Sequence, residues 1–408
     1  MALAKQTVLA LSGDEAVAYA VKQSDVDLVA AYPITPQTII VEKFSEYVHD
    51  GEVNTEFMCA ESEHSALTAC LAAAATGART FTASASAGLA LMHEILYVTA
   101  GCRAPVVMAI VNRALSAPIN IHCDHADSMV ERDASWIQIY VENSQEAYDS
   151  TIQAFKIAED PDILLPAMVM LDAFFLSHTL ESVKVLPNEA ILKFVGTRKI
   201  PLVRSHEDKL VPFKLDPENP VTMGPLDLYD YYFEHKRQQE EAMQRVPQTI
   251  KQVHDEYGKI SGRRYGNGLV DPYRLEDAEI ATICVGSTAG TTKTVVDQLR
   301  AKGVKAGLLR LRTYRPFPSQ DITKAVGNVK AIAVMDRSHS FGAHGSPIFH
   351  ELRHVLYDAQ THPQVVNYIY GLGGRDMPQT LIHEIYKDLQ KIVKTKRVEK
   401  PVQFIGVR

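Results

Sequence analysis

Three stretches of this sequence carry side chains suited to handling a small organic acid: AYPITPQT at 31–38, ESEHSA at 61–66 and NRALSAP at 112–118. In the last, Arg113 offers a guanidinium that can grip a carboxylate through two parallel hydrogen bonds. In the second, Glu61 and Glu63 have two uses. At the start of a helix they complement its dipole; at the edge of an apolar pocket, such a carboxylate bonds to a heterocyclic nitrogen and shifts its protonation. In the first, two prolines fix the backbone around Thr35, so Tyr32 and Thr35 are expected extended, Pro36 at the first position of a helix and Thr35 at its N-cap. That arrangement is ordinary helix initiation, and its free N–H groups are also a place for a carboxylate or phosphate.

A rival chemistry resides in His122-Cys-Asp124-His125-Ala-Asp127. Imidazoles and carboxylates so closely spaced could bind zinc or manganese for a metal-dependent hydrolase. Equally, they are the polar groups of a loop after a strand. Two glycine runs are weaker signals. Gly286-Ser-Thr-Ala-Gly290-Thr-Thr-Lys293 has Thr292 where a phosphate loop needs glycine, so it reads as a helix start. Gly371-Leu-Gly373-Gly374 reads as a turn.

These residues need strands and helices to bring them together. Ser12-x-x-Glu15 is a capping box opening a helix to about Lys22, and the apolar run Val26–Ala31 is a strand feeding the proline loop. A helix from Pro36 to Tyr47 follows, then a strand over 55–59, and an alanine-rich helix capped by Ser62 and stopped at Gly77. Strand 79–84, helix 87–100 and strand 105–111 continue the alternation, with further strands at 136–141 and 167–171 around a helix at 145–159. This pattern predicts an α/β fold with a doubly wound parallel sheet. Thr35 and Arg113 then lie at carboxyl ends of strands, where open α/β sheets bind ligands. Six prolines between 187 and 225, then a charged helical stretch over 226–257, mark a connection. A second α/β unit follows, with strands at 280–285, 304–309, 331–335 and 365–370 and helices at 289–302, 347–357 and from 380.

At 408 residues the chain has room for two or three domains of ordinary globular composition. A formal charge of -7 argues against nucleic acid as a partner. The N-terminal sequence is a poor signal peptide and no apolar run reaches membrane-spanning length, which predicts a cytoplasmic protein with no membrane partner. Five scattered cysteines, with no C-x-x-C pair, provide no metal-cluster ligand set.

Taken together, GDEAVAYAV, AYPITPQT, ESEHSA, GARTFTASASAGLALMHE, NRALSAPINI and DHADS closely resemble the alpha chains of pyruvate:ferredoxin oxidoreductases, in the 2-oxoacid:ferredoxin oxidoreductase family. RLRTYRPFP at 310–318 and DRSHSFG at 336–342 resemble that family's second domain, which is similar to the transketolase C-terminal domain. Asp14 and the HCDHAD run depart from the family pattern.

The resemblance implies a pyrimidine-type thiamine-diphosphate domain with its connection over 1–258 and a transketolase C-terminal-like domain over 259–408. It implies coenzyme A-dependent oxidative decarboxylation of pyruvate, reversible in principle, or of a branched-chain 2-oxoacid such as 2-oxoisovalerate. Glu63 would bond to the pyrimidine N1′, Pro33 and Ile34 would pack on that ring, Arg113 would hold the substrate carboxylate at the cofactor, and Thr35 would bond to substrate oxygens. The diphosphate and Mg²⁺ would be held by a beta subunit, since the Gly-Asp-Gly run that usually holds them is missing here. A ferredoxin-like delta subunit would carry [4Fe-4S] clusters. With a gamma subunit these chains would form a dimer of heteromers that reduces external ferredoxin.

Overall fold

The computed structural model describes residues 5–205 and 207–408; residues 1–4 of the N-terminal run considered above lie outside them. Two large sheets organise the described residues. The first has seven strands in the spatial order Thr313–Arg315, Ile137–Tyr140, Ala167–Asp172, Val107–Asn112, Thr80–Ser84, Leu28–Ala31 and Glu56–Cys59. Neighbours are parallel throughout except at Thr313–Arg315, which runs antiparallel to Ile137–Tyr140. Asn112 is level with Asp172 and Ala31 with Cys59, so the segments following these strands emerge along one edge. The second sheet has six strands, ordered Val270–Tyr273, Ala306–Leu311, Ile280–Cys284, Ala331–Asp336, Gln364–Ile369 and Val402–Phe404.

Local signals set many element ends. Ser12 and Glu15 exchange both capping-box hydrogen bonds, Ser12 N to Glu15 Oε2 at 2.8 Å and Glu15 N to Ser12 Oγ at 3.3 Å. Ser62 Oγ accepts from Ser65 N at 3.2 Å to start the helix Glu63–Thr76. Gly77, at φ 106°, supplies the left-handed residue that ends it.

Three expectations are corrected. The helix after the proline loop begins at Thr38 with Gln37 at the capping position, not at Pro36 with Thr35 as cap. Gln37 explains this. Its N–H closes a turn onto Ile34 O at 2.9 Å, and its buried amide donates to Tyr32 O and Ala83 O, tying the loop to the adjacent strand before a helix can start. The helix expected over 87–100 is two, Ser86–Leu91 and His93–Gly101, meeting at Met92. The charged helix runs Tyr232–Ser261, leaving 226–231 outside it.

One core lies between the first sheet and the helices Gly13–Gln23, Ser144–Ala158 and Tyr232–Ser261. A second joins both sheets, from Leu67, Leu96, Met108 and Trp136 across to Ile283, Leu309 and Phe349. A third covers the far face of the second sheet with Thr288–Ala301 and Gln379–Thr395. Buried charges cross the same junction. Glu146 receives Arg310 Nη1 at 2.6 Å and Arg312 Nε at 2.8 Å, with all three side chains fully buried. Among the described residues no helix is long and apolar enough to cross a membrane.

Candidate active site

Four adjacent parallel strands deliver the site. The segments after Glu56–Cys59, Leu28–Ala31 and Val107–Asn112 bring Glu63, Thr35 and Arg113 to one edge of the sheet, where Ser84 ends the strand Thr80–Ser84. This is where such sheets bind ligands.

Glu63 opens its helix yet is only 6% exposed, and its carboxylate accepts no hydrogen bond among the described residues. It packs against Gly88, where an added Cβ would lie 2.5 Å from Glu63 Oε1 and 2.7 Å from Ser84 Oγ. Ser84 Oγ is itself buried with no hydrogen-bond partner among the described residues. A carboxylate and a hydroxyl with unspent hydrogen-bonding capacity, beside a glycine, form a cradle for the polar edge of a planar heterocycle. Glu61 behaves differently. It is exposed and accepts from Ser65 Oγ at 2.5 Å, the ordinary work of a residue flanking a helix start.

Arg113 and Thr35 are brought together, though not through the threonine hydroxyl. Arg113 Nη1 donates to Thr35 O at 2.8 Å and Nε to Asn120 O at 3.1 Å, while Nη2 makes no hydrogen bond among the described residues. The guanidinium is thus braced by two carbonyls with one face left for a ligand. Pro33 and Thr35 are exposed and Ile34 is half-buried, so the loop offers an apolar surface and a free hydroxyl.

The His122, Asp124, His125 and Asp127 cluster does not form a metal site. His125 Nε2 bonds to Asp172 Oδ1 at 2.7 Å, and Asp124 accepts from Ala126 N and Gly373 N. Asp127 accepts main-chain N–H groups, while exposed His122 packs on Phe174 with ring centres 5.1 Å apart. The polar types were right for a metal, but adjacent residues in a loop point to different partners. The one grouping of potential ligands among the described residues is Cys123, His125 and Asp172. Arg337 Nη1 already occupies it, 3.2 Å from Cys123 Sγ and 3.0 Å from Asp172 Oδ2.

The same Asp172 answers the phosphate-loop lookalike. Its Oδ2 accepts from Ser287 N at 3.1 Å and Ser287 Oγ at 2.5 Å, placing an internal carboxylate at the start of that helix. Burial alone would push its pKa up, but His125 and Arg337 outweigh it and hold the group well below the usual carboxylate range. The Gly371–Gly374 run is a turn docked on the first unit, with Gly374 N donating to Cys123 O at 2.6 Å.

Comparison with known proteins gives this geometry a family. The sequence signature described as "Pyruvate flavodoxin/ferredoxin oxidoreductase, thiamine diP-bdg" matches residues 19–255, and "Pyruvate:ferredoxin oxidoreductase core domain II" matches residues 278–382. Pyruvate synthase subunit PorA of Thermotoga maritima is 50% identical over 93% of this chain and 94% of its own length. The chain belongs to the pyruvate flavodoxin/ferredoxin oxidoreductase family. Within it, ketoisovalerate oxidoreductase subunit VorA of Pyrococcus abyssi is 42% identical over 98% of this chain and 97% of its own. The fold is shared with a 2-oxoglutarate:ferredoxin oxidoreductase from Magnetococcus marinus, solved with 2-oxoglutarate, coenzyme A and succinyl-CoA bound. The TM-score is 0.74 at 17% identity, covering 94% of this chain and 65% of that longer one.

The structure brings the expected residues Glu63, Arg113 and Thr35 to one edge, together with Ser84, Gly88 and Gln37, which sequence reasoning did not single out. A small-residue run such as ASASAG carries no mark of which glycine must admit a carboxylate.

Proposed function

We propose that this chain is the alpha subunit of a pyruvate:ferredoxin oxidoreductase. It holds the aminopyrimidine of thiamine diphosphate and the carboxylate of pyruvate while partner chains hold the rest. The observation that carries this is the buried, unpartnered Glu63 carboxylate beside Ser84 and Gly88, on the same sheet edge as the braced Arg113.

Thiamine diphosphate, when bound, supplies an electron sink for breaking the bond between the keto carbon and the carboxylate of a 2-oxoacid. Glu63 would hydrogen-bond to the ring nitrogen N1′ and relay a proton there, a role an amide cannot fill. Pro33 and Ile34 cover the ring. Arg113 donates to the substrate carboxylate, and the Thr35 hydroxyl donates to the keto oxygen. In the assembled enzyme coenzyme A would accept the acetyl group, and iron–sulfur clusters of a ferredoxin-like delta chain would carry the two electrons to ferredoxin. The reaction is reversible in principle.

The beta subunit supplies the Mg²⁺-diphosphate side. Large apolar side chains are exposed on the segments around the site, among them Tyr32, Met58, Leu91 and Ile119. They suit burial against another chain. With a gamma subunit, a dimer of such heteromers working in the cytoplasm completes the assembly. Within this chain we read the cofactor domain with its connection as 1–258 and the second domain as 259–408.

The test is reduction of an iron–sulfur acceptor by the co-purified complex with pyruvate, coenzyme A and thiamine diphosphate, with 2-oxoisovalerate run in parallel. Reduction requiring all three is expected, and Glu63→Gln in the same complex cuts turnover by orders of magnitude. Near-normal turnover in that variant would remove Glu63 from the chemistry, and preference for 2-oxoisovalerate would move the substrate assignment.

A further inference from the structure

Asp127 touches both walls of the site without lining it. It lies on the short helix Ala126–Val130 and is 1% exposed. Its Oδ2 accepts from Ser86 N at 2.9 Å and from Arg113 N at 3.0 Å. Its Oδ1 accepts from Asn112 Nδ2 and from its neighbour Ser128 N, each at 2.8 Å. Ser86 opens the helix that carries Gly88, the residue against which Glu63 packs, and its hydroxyl donates to Ala114 O at 2.5 Å. One carboxylate oxygen therefore joins the backbone of the Glu63 wall to the backbone of Arg113.

Three of the four donors are main-chain N–H groups that cannot turn away, which disfavours a neutral substitute. An ionised acceptor makes hydrogen bonds roughly twice as strong as a neutral one. An asparagine could turn its oxygen toward Ser86 N and Arg113 N only by aiming its own NH₂ at Asn112 Nδ2 and Ser128 N. Asn112 could answer by turning its Oδ1, unpartnered among the described residues, to that NH₂, but the main-chain Ser128 N cannot turn, so one donor pair would face each other in a buried site. The helix cannot slide to relieve this, because His125 at its start is fixed by Asp172 and by its own N–H to Arg337 O at 2.9 Å.

We infer that Asp127 is a positioning residue, holding Arg113 in register with the Glu63 pocket so that a 2-oxoacid carboxylate meets the guanidinium at a fixed distance from the cofactor ring. This rests on the function proposed above. The side chain touches neither substrate nor cofactor; it acts through the Arg113 and Ser86 main chain.

The experiment uses the complete complex carrying Asp127→Asn, alone and combined with Arg113→Ala. Steady-state kinetics with pyruvate are paired with calorimetric titration of oxamate, a carboxylate that cannot turn over. Asp127→Asn is expected to raise the pyruvate KM and the oxamate Kd about tenfold with kcat within about threefold, and to add nothing further once Arg113 is alanine. Unchanged KM and Kd, or an equal penalty in the Arg113→Ala background, overturns the inference. If Asp127→Asn does not assemble, Asn112→Ser, which withdraws one donor and keeps the carboxylate, is measured instead. A smaller rise confined to KM and Kd supports the inference and wild-type values overturn it. A wild-type complex that neither consumes pyruvate nor binds oxamate overturns the functional proposal itself, a result distinct from these.

Discussion

Gly88→Ala tests the Glu63 pocket with a single methyl group. The new Cβ would stand 2.5 Å from Glu63 Oε1, 2.9 Å from its Cδ and 2.7 Å from Ser84 Oγ, where ordinary contact begins at 3.4 Å. The carboxylate must therefore retreat by about 0.9 Å, and misplacing a reacting group by ~1 Å costs roughly 100-fold in rate. Stability should change little. Overpacking costs about 1–3 kcal/mol, and alanine regains ~1 kcal/mol over glycine within a helix. The assay is pyruvate- and coenzyme A-dependent reduction of a viologen dye by the assembled complex, with a melting curve on the same sample. Turnover down about 100-fold at a nearly unchanged Tm is the expected result. Turnover within about twofold of wild type, at the same Tm, would refute the claim that the carboxylate's position beside Gly88 and Ser84 matters to the reaction.

Arg113→Ala removes a charged partner worth about 1.5–3 kcal/mol, so kcat/KM for pyruvate should fall roughly 10- to 100-fold, and unchanged kinetics would dismiss its role. Glu146→Gln leaves Arg312 buried without its counter-charge, while Arg310 keeps Glu142 at 3.2 Å and Asp271 at 3.3 Å, and calorimetry should show a loss of about 3 kcal/mol. Burial works to raise the Glu146 pKa, but the two arginines outweigh it and lower it. Its stabilisation is therefore full above the ordinary carboxylate range and fades as pH falls through that range and below, so the gap between wild type and variant should narrow only in acid. Asp14 is the opposite case. Burial, then the charge of Glu15, raises its pKa well above the usual value; its oxygens have no hydrogen-bond partner among the described residues, and His178 Nδ1 is 3.9 Å away. The folded state favours the protonated form, so stability is lost as pH rises past the ordinary carboxylate range. Asp14→Asn should melt higher than wild type at pH 8, by an increment that closes toward pH 4. A lower melt at pH 8 would contradict this.

What could be read from the sequence was what short-range physics decides. The Ser12 capping box, the Ser62 cap and the Gly77 stop depend on residues within one helical turn, and the fully apolar run ending at Asn112 needs two covered faces. Arg113 and the pair Glu61 and Glu63 emerged because their places at element ends are local facts too, and the family resemblance singled out Glu63. The failures share a cause. Whether Gln37 or Thr35 caps a helix depends on Ala83 O, 46 residues on, and whether His125 binds a metal depends on Asp172 and Arg337. The strand Thr313–Arg315 is three residues long and pairs with a strand of the other half of the chain, so no run of apolar residues announces it.

That short strand bears on how the polypeptide can be divided. Thr313–Arg315 closes the side of the first sheet that would otherwise end at Ile137–Tyr140, and Arg310 and Arg312, just before it, neutralise Glu146. A fragment ending near 258 would present an apolar strand with an open row of backbone donors and acceptors, above a buried acid stripped of its cations. Such an edge invites pairing with other copies. Truncations meant to isolate the cofactor half for crystallisation or expression should therefore extend at least through Arg315, and insertions that keep both halves in one polypeptide are better placed in the exposed segment around Leu226 and Tyr229.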